Sequence, residues 1–313
     1  MDYGETCFLK HIKIEDIVSY IHIGITMTPR IIVSRRKVIF ACGNREDILK
    51  NMLQGNSLGD ILTVTDDLRE KGFIYEIVIN ILLACRSFVR LRDGMAYALM
   101  NCGASMGEGY GPMLVSKKEL TLDQACNGTI AVPGLKTSAY LTLLLACGDV
   151  DIAVVPFDEI IPRIESGEFD SGVIIHEGQL TWKSHGLHLI LDLGVWWNEN
   201  NDGLPLPLGG NVVRRDLGEE VCQNISEWVK MSIEHSIKQP NDALKFAMQW
   251  GRGIDEDTNS KFVKMYVNER TIDYGPDGRA SIRKFLADGV KIGMIDSEFD
   301  PNRLDFIGAH GID

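Results

Sequence analysis

The feature that most constrains the fold is the alternation of short apolar runs with helical segments along residues 128–193. Gly128–Gly134 and Gly172–Ile175 are rich in β-branched residues, which is typical of buried strands. Between them, Lys136–Cys147 and Asp158–Glu168 have the length and composition of helices. Strands that alternate with helices in this way usually pair in parallel. The sequence therefore predicts an α/β fold with a parallel sheet.

Length, composition and charge favour a two-lobed protein that binds a small molecule. At 313 residues the chain exceeds one typical core, and its 45% of hydrophobic residues is ordinary for a folded protein. The net charge is −12, and Arg35–Lys37 is the one basic run that stands out. Because phosphate binding relies on clustered positive charge, nucleic acid is not an expected partner.

Cysteine usage and the apolar runs predict a soluble, cytoplasmic protein without a metal site or a membrane partner. The seven cysteines are scattered and form no CxxC pair, which suits reduced thiols better than disulfides or zinc. The N-terminus carries Asp2 and Glu5 and lacks the pattern of a secretory signal. The longest apolar runs, such as Ile79–Cys85, are too short to cross a bilayer.

His176 and Glu177 follow directly on the predicted strand Gly172–Ile175. Open α/β sheets bind their ligands in the crevice outside the carboxyl ends of the strands. A histidine exchanges protons near neutral pH, so we expect His176 to be the catalytic residue. The alternative is a histidine whose ring nitrogens bond to local backbone and which has no function. Glu177 is expected to face solvent, because adjacent residues on a strand point to opposite faces.

Thr137 and Ser138 stand at the first turn of the helix that follows Gly128–Gly134. Free backbone N–H groups and hydroxyls at a helix start bind carboxylates, phosphates or polar oxygens. We expect the two hydroxyls to hold the polar end of a substrate, at the same sheet edge as His176. The alternative is ordinary N-capping, which needs one of the two hydroxyls and no ligand.

Other segments are expected to have structural roles. The glycines of 103–111 fit either a loop whose backbone approaches a ligand closely or a flexible crossing between lobes. The prolines and glycines of 203–210 fit a hinge strand that passes between lobes. Asp158 is expected to cap the helix that it begins. The residues after about 296 are expected to form a tail. His185 and His188 are expected at the surface or beside a strand. Residues 196–202 are expected to form an exposed helix end or loop that is packed by Trp196 and Trp197.

Six segments, in order, carry a family resemblance. They are GYGPMLVSK, GTIAVPGLKTSAYL, FDEIIPRIESGEFDSGVIIHEGQLTW, LDLGVWW, GLPLPLGGNVVRRDLG and KFVKMYVNERTIDYGPDGR. With these segments, residues 105–295 closely resemble the 1,4-dihydroxy-6-naphthoate synthases, the late lyases of the futalosine route to menaquinone. The resemblance implies cleavage of cyclic dehypoxanthine futalosine to 1,4-dihydroxy-6-naphthoate without a known cofactor.

The resemblance also implies a fold and a set of site residues. The fold is two-lobed, like that of the type II periplasmic binding proteins, with the ligand in the cleft between the lobes. Residues 1–108 and 209–313 form the first lobe, and residues 109–208 form the second. His176 matches the proposed proton acceptor of the family. Thr137 and Ser138 match its paired hydroxyl residues, which contact substrate.

Residues 1–95 lie outside the resemblance, because the motifs that this part of the family contributes to the substrate site are not found there. The segment is a diverged first lobe, a replacement for it or the product of an altered reading frame. Two other functions stay open. One is a non-catalytic solute-binding protein of the same fold. The other is the related dehydratase of the same route, which acts on chorismate.

Overall fold

A computed structural model describes residues 75–78, 97–176, 178–215, 218–241, 243–244 and 256–308. Glu177 and most of the unmatched segment 1–95 lie outside these residues. The strands are β1 (Tyr75–Val78), β2 (Tyr97–Met100), β3 (Ser105–Gly107), β4 (Met113–Ser116), β5 (Ile130–Val132), β6 (Ile152–Val154), β7 (Ser171–Ile174), β8 (His188–Asp192), β9 (Leu206–Arg214) and β10 (Phe306–Ile307). The α-helices are α1 (Leu122–Cys126), α2 (Ser138–Cys147), α3 (Ile160–Ser166), α4 (Gly178–Thr181), α5 (Leu193–Asn200), α6 (Glu219–Lys238), α7 (Glu256–Tyr266), α8 (Glu269–Ile272) and α9 (Gly275–Lys291).

The first sheet joins strands from distant parts of the chain. Its order is β1-β9-β2-β10, and β3 also pairs with β9. β9 runs antiparallel to β1, β2 and β3, whereas β10 is parallel to β2. The helices α6 and α9 pack against β9. They bury the apolar residues Val229, Ile233, Ile282 and Phe285, as amphipathic helices do.

The second sheet has the order β6-β5-β7-β4-β8. β5 is parallel to both β6 and β7, which confirms the predicted parallel pairing. β4 is antiparallel to β7 and to β8, an arrangement that the sequence did not predict. β8 therefore runs in the same direction as β7. The carboxyl ends of β5, β6, β7 and β8 consequently share one edge of this sheet.

The strand that precedes His176 is packed tightly under α3. β7 is buried along its whole length. A Cβ atom on Gly172 would lie 2.8 Å from the Cγ2 of Ile160 and 3.1 Å from the Cβ of Ala131, so only glycine permits this approach. The predicted cap of this helix is wrong, because Asp158 lies inside a 3-10 turn (Phe157–Glu159) and α3 begins after it without a side-chain cap.

Within the described residues, the chain passes between the two sheets twice, and the first passage packs against the start of α5. The first passage, residues 108–112, joins β3 to β4, and the second, residues 201–205, leads from α5 into β9. A Cβ atom on Gly111 would lie 2.8 Å from the backbone nitrogen of Gly194, at the start of α5. The predicted hinge strand 203–210 lies mostly within β9, since Leu206 and the residues after it pair within the first sheet.

One prediction about the surface is wrong. The residues after 296 are not a tail: Phe299 and Leu304 are buried, and β10 pairs with β2 through Phe306 and Leu99. The end of α5 is exposed at Glu199 and Asn200 and is packed by Trp197, as predicted. Trp197 is 1% exposed, its ring meets that of Phe285 edge-on, and its Nε1 donates to the Oγ of Ser281 at 3.2 Å. Both segments complete the core that joins α5 to α9.

Within the described residues, no helix has both the length and the apolar character that a bilayer span requires.

Candidate functional site

The second sheet changes direction between β5 and β7, which are neighbours. From β5 the chain passes through α2 to β6 on one side, whereas from β7 it continues to β8 on the other side. The loops that leave the two carboxyl ends therefore run in opposite directions. Open α/β sheets bind ligands at such switch points. Because Thr137 and Ser138 follow β5 and His176 follows β7, the structure brings all three to this edge.

His176 stands in the turn that follows β7, two residues after the strand ends. Its backbone is left-handed, with φ of 57°, and its carbonyl oxygen accepts a hydrogen bond of 3.1 Å from the N–H of Gln179. The side chain is half-buried, and its ring meets that of Phe157 edge-on, with centroids 5.0 Å apart. A non-glycine residue held in this conformation stores strain, which is often found at functional sites.

Thr137 is the N-cap of α2, so the capping alternative applies to it. Its Oγ1 accepts from the N–H of Tyr140 at 3.1 Å and donates to the carbonyl oxygen of Gly134 at 2.8 Å. Ser138 is the first residue of the helix and is buried, with its Oγ 3.5 Å from the carbonyl oxygen of Leu208. The hydroxyl of Thr137 thus caps the start of α2. The hydroxyl of Ser138 lies beside β9, the strand that enters the first sheet.

Asp192 ends β8 at the same edge and was missed in the sequence. Its carboxylate accepts hydrogen bonds from the N–H groups of Gly194 at 2.9 Å and Val195 at 3.1 Å, and thereby caps α5. Burial raises the pKa of Asp192, while the backbone N–H groups of Val195, Gly194 and Gly111 lower it. The LDLG pattern shows an acidic residue before a helix, but it does not reveal that the strand before it runs parallel to β7.

Two further residues near His176 were also missed. Gln179, in α4, is buried, and its Oε1 accepts a hydrogen bond of 2.6 Å from the hydroxyl of Tyr266. Tyr266 is the last residue of α7, which packs against β3 of the first sheet. The bond therefore joins the two sheets beside the His176 turn. Local sequence carries no signal for it, because the partners are 87 positions apart.

The other histidines of the second sheet lie away from this sheet edge. His185 and His188 are exposed, as predicted, and the Nδ1 of His185 is 2.9 Å from the Oε1 of Glu165. Among the described residues, no three His, Cys, Asp or Glu side chains are grouped as a metal site would require.

Comparison with known proteins identifies the fold and the family. Residues 85–290 match the model of a family described as menaquinone biosynthesis. A 1,4-dihydroxy-6-naphthoate synthase of Thermus thermophilus is 35% identical over 214 residues, which cover 68% of this chain and 76% of that protein. A solved protein from Archaeoglobus fulgidus is 34% identical, with a TM-score of 0.63, over 72% of this chain and 92% of that one.

A more distant structural neighbour shows the fold alone. The periplasmic aliphatic sulphonate-binding protein of Escherichia coli is 9% identical and has a TM-score of 0.51, over 77% of each chain. This confirms the predicted α/β fold of the periplasmic-binding-protein type. With the match over residues 85–290 and the identity to the Thermus thermophilus synthase, the chain belongs to the menaquinone biosynthesis family.

Proposed function

We propose that this chain is a carbon–carbon lyase that cleaves cyclic dehypoxanthine futalosine to 1,4-dihydroxy-6-naphthoate. The observation that carries the proposal is the position of His176, at the switch-point edge of a ligand-binding fold. The family of the chain and its 35% identity to a named synthase support the reaction class. The substrate itself is inferred from the sequence motifs around His176.

The proposed reaction begins with a proton transfer to His176. The neutral imidazole accepts the proton of a substrate hydroxyl, and that oxygen forms a carbonyl as the adjacent carbon–carbon bond breaks. The electrons of the broken bond pass into the ring system. The ring system thereby becomes aromatic, and this aromatisation drives the cleavage. A histidine suits the first step because it exchanges protons near neutral pH.

Substrate binding is assigned to the start of α2. The Oγ of Ser138 and the first N–H groups of the helix are polar groups at this sheet edge, and Thr137 holds the turn that carries them. A small-molecule ligand also agrees with the fold of the sulphonate-binding neighbour. We place the enzyme in the cytoplasm, where its scattered cysteines would stay reduced.

The two-lobe division stays part of this proposal. Strands β4 to β8 fall within residues 109–208, and β1, β2, β3 and β10 fall outside them. β9 begins at Leu206, just before the proposed boundary. Closure of the two lobes over the crevice would exclude water from the reaction.

The direct test is turnover by the purified chain. We expect cyclic dehypoxanthine futalosine to disappear and 1,4-dihydroxy-6-naphthoate to form in equal amounts, followed by liquid chromatography and mass spectrometry. Saturable binding of the substrate without any product would instead show a solute-binding protein. Conversion of chorismate to an enol ether would show the dehydratase. Either result would overturn the proposal.

A further inference from the structure

The backbone of His176 needs support from its surroundings. Its left-handed conformation, with φ of 57°, is costly for a residue with a Cβ atom and persists only where neighbouring contacts hold it. The turn that it begins is closed by the N–H of Gln179, which donates to the carbonyl oxygen of His176 at 3.1 Å. The position of Gln179 therefore decides the shape of this turn.

Gln179 is in turn fixed by a residue from the other sheet. Its buried side chain accepts the 2.6 Å hydrogen bond from the hydroxyl of Tyr266. Burial raises the pKa of Tyr266, so the hydroxyl stays protonated and remains a donor. The bond is short and shielded from water, which makes its loss costly for whichever partner is left unpaired.

The position of Tyr266 is itself held by a ring contact and by hydrogen bonds. The ring of Tyr110 meets it edge-on, with centroids 5.6 Å apart and ring planes at 79°. Its carbonyl oxygen accepts a hydrogen bond of 3.0 Å from the Oγ1 of Thr271, and the hydroxyl of Tyr110 donates to the carbonyl oxygen of the neighbouring Met265. These contacts fix the end of α7 and aim the hydroxyl of Tyr266 at Gln179.

We propose that Tyr266 and Gln179 are positioning residues for His176, through a hydrogen bond that joins the two sheets and holds the turn that carries the imidazole. The inference rests on the proposed function of His176. Neither residue touches the reacting atoms in this scheme. Their contribution is the placement of a proton acceptor that acts in the transition state, so their loss changes kcat more than KM.

The test uses Tyr266→Phe and Gln179→Met, which remove the donor and the acceptor with little change in shape. We expect each to lower kcat by roughly tenfold to a hundredfold and to leave KM within about twofold. Because both break the same bond, the double variant should lose no more than either single variant. Thermal melts confirm folding, and a failure of one variant to fold leaves the other as the test.

A second readout does not depend on activity. The ring resonances of His176, identified among the seven histidines by their loss in His176→Ala, should shift in Tyr266→Phe and in Gln179→Met. The matched control is Tyr274→Phe, which removes the hydroxyl of another buried tyrosine in the apolar core beside the first sheet but leaves the bond between Tyr266 and Gln179. It should leave the His176 resonances and kcat near those of the unaltered chain.

The proposal is overturned if the His176 resonances stay in place in both variants, or if kcat stays within about twofold while only the melting temperature falls. Additive losses in the double variant would also overturn it. A failure of the proposed function gives a different result. The unaltered chain would then show no turnover, whereas the His176 resonances would still show whether Tyr266 and Gln179 hold the turn.

Discussion

The ring of Phe157 lies edge-on to the imidazole of His176, with centroids 5.0 Å apart and ring planes at 65°. Phe157 follows β6 and His176 follows β7, on either side of β5. The imidazole is therefore in contact with a residue from a different loop. Two strands of the parallel sheet thus bring two rings together at the same sheet edge.

Replacing Phe157 with Leu should lower kcat, because an apolar contact remains but the edge-on ring contact is lost. Edge-to-face pairs contribute about 0.5–1.5 kcal/mol, which corresponds to a loss of up to roughly tenfold. Steady-state kinetics check this. Phe169→Leu is the control, since Phe169 packs against the apolar cluster of the second sheet and precedes β7, whereas Phe157 follows β6. An equal fall in kcat for the two substitutions would contradict the role of the Phe157 ring contact in placing His176.

Replacing Thr137 with Ala should weaken both the fold and substrate binding. The loss of the cap of α2 should cost about 1 kcal/mol of unfolding free energy, and the disordered helix start should raise KM. Thr137→Ser keeps the hydroxyl and should restore both. Thr121→Ala removes the cap of α1, which precedes β5, and should lower stability with KM unchanged. Denaturant unfolding and kinetics on the three variants decide between these outcomes.

The stability of the chain should fall at acid pH partly through Asp277. Hydrogen bonds from Arg270 lower the pKa of Asp277 below its ordinary value of 3.8. Because the pKa is lower in the folded chain, the contribution is complete above pH 3.8 and is lost as the pH falls through the folded pKa. Below this pH, the urea midpoint of Asp277→Asn should therefore fall less steeply with decreasing pH than that of the unaltered chain. If the two midpoints fall equally steeply, the pair of Arg270 and Asp277 contributes nothing to the pH dependence of stability.

Replacing Leu304 with Ala should destabilise the fold by about 2–5 kcal/mol, because its side chain is buried in the main apolar core. Ile292→Ala is the matched control: its side chain is 43% exposed, and we expect a change of at most about 0.5 kcal/mol. Chemical unfolding of the two variants provides the measurement. A loss in Leu304→Ala as small as that expected for Ile292→Ala would mean that the C-terminal segment is not part of the core.

Much of the second sheet could be predicted from the sequence because its strands and helices are local patterns. The runs around Ile130 and Val173 have the β-branched composition of buried strands, and Thr137 has the preference of a helix cap. Each of these signals is carried by a few neighbouring residues. They were sufficient to place Thr137, Ser138 and His176 at one sheet edge.

The residues that the sequence did not reveal depend on contacts between distant segments. Tyr266 reaches Gln179 across 87 positions, and Trp197 reaches Ser281 across 84. The strand at Phe306 is two residues long, too short to show any period, and it is held by β2. Periodicity predicts which face of an element is apolar, but it does not say what covers that face.

The central claim is that His176 accepts a proton in the lyase reaction. Its most direct test is the turnover of cyclic dehypoxanthine futalosine by His176→Ala, with His185→Ala as the control, since His185 is exposed and pairs with Glu165. We expect kcat of His176→Ala to fall about a hundredfold or more while substrate affinity, measured by calorimetry, is largely kept. Near-normal turnover by His176→Ala would contradict the account.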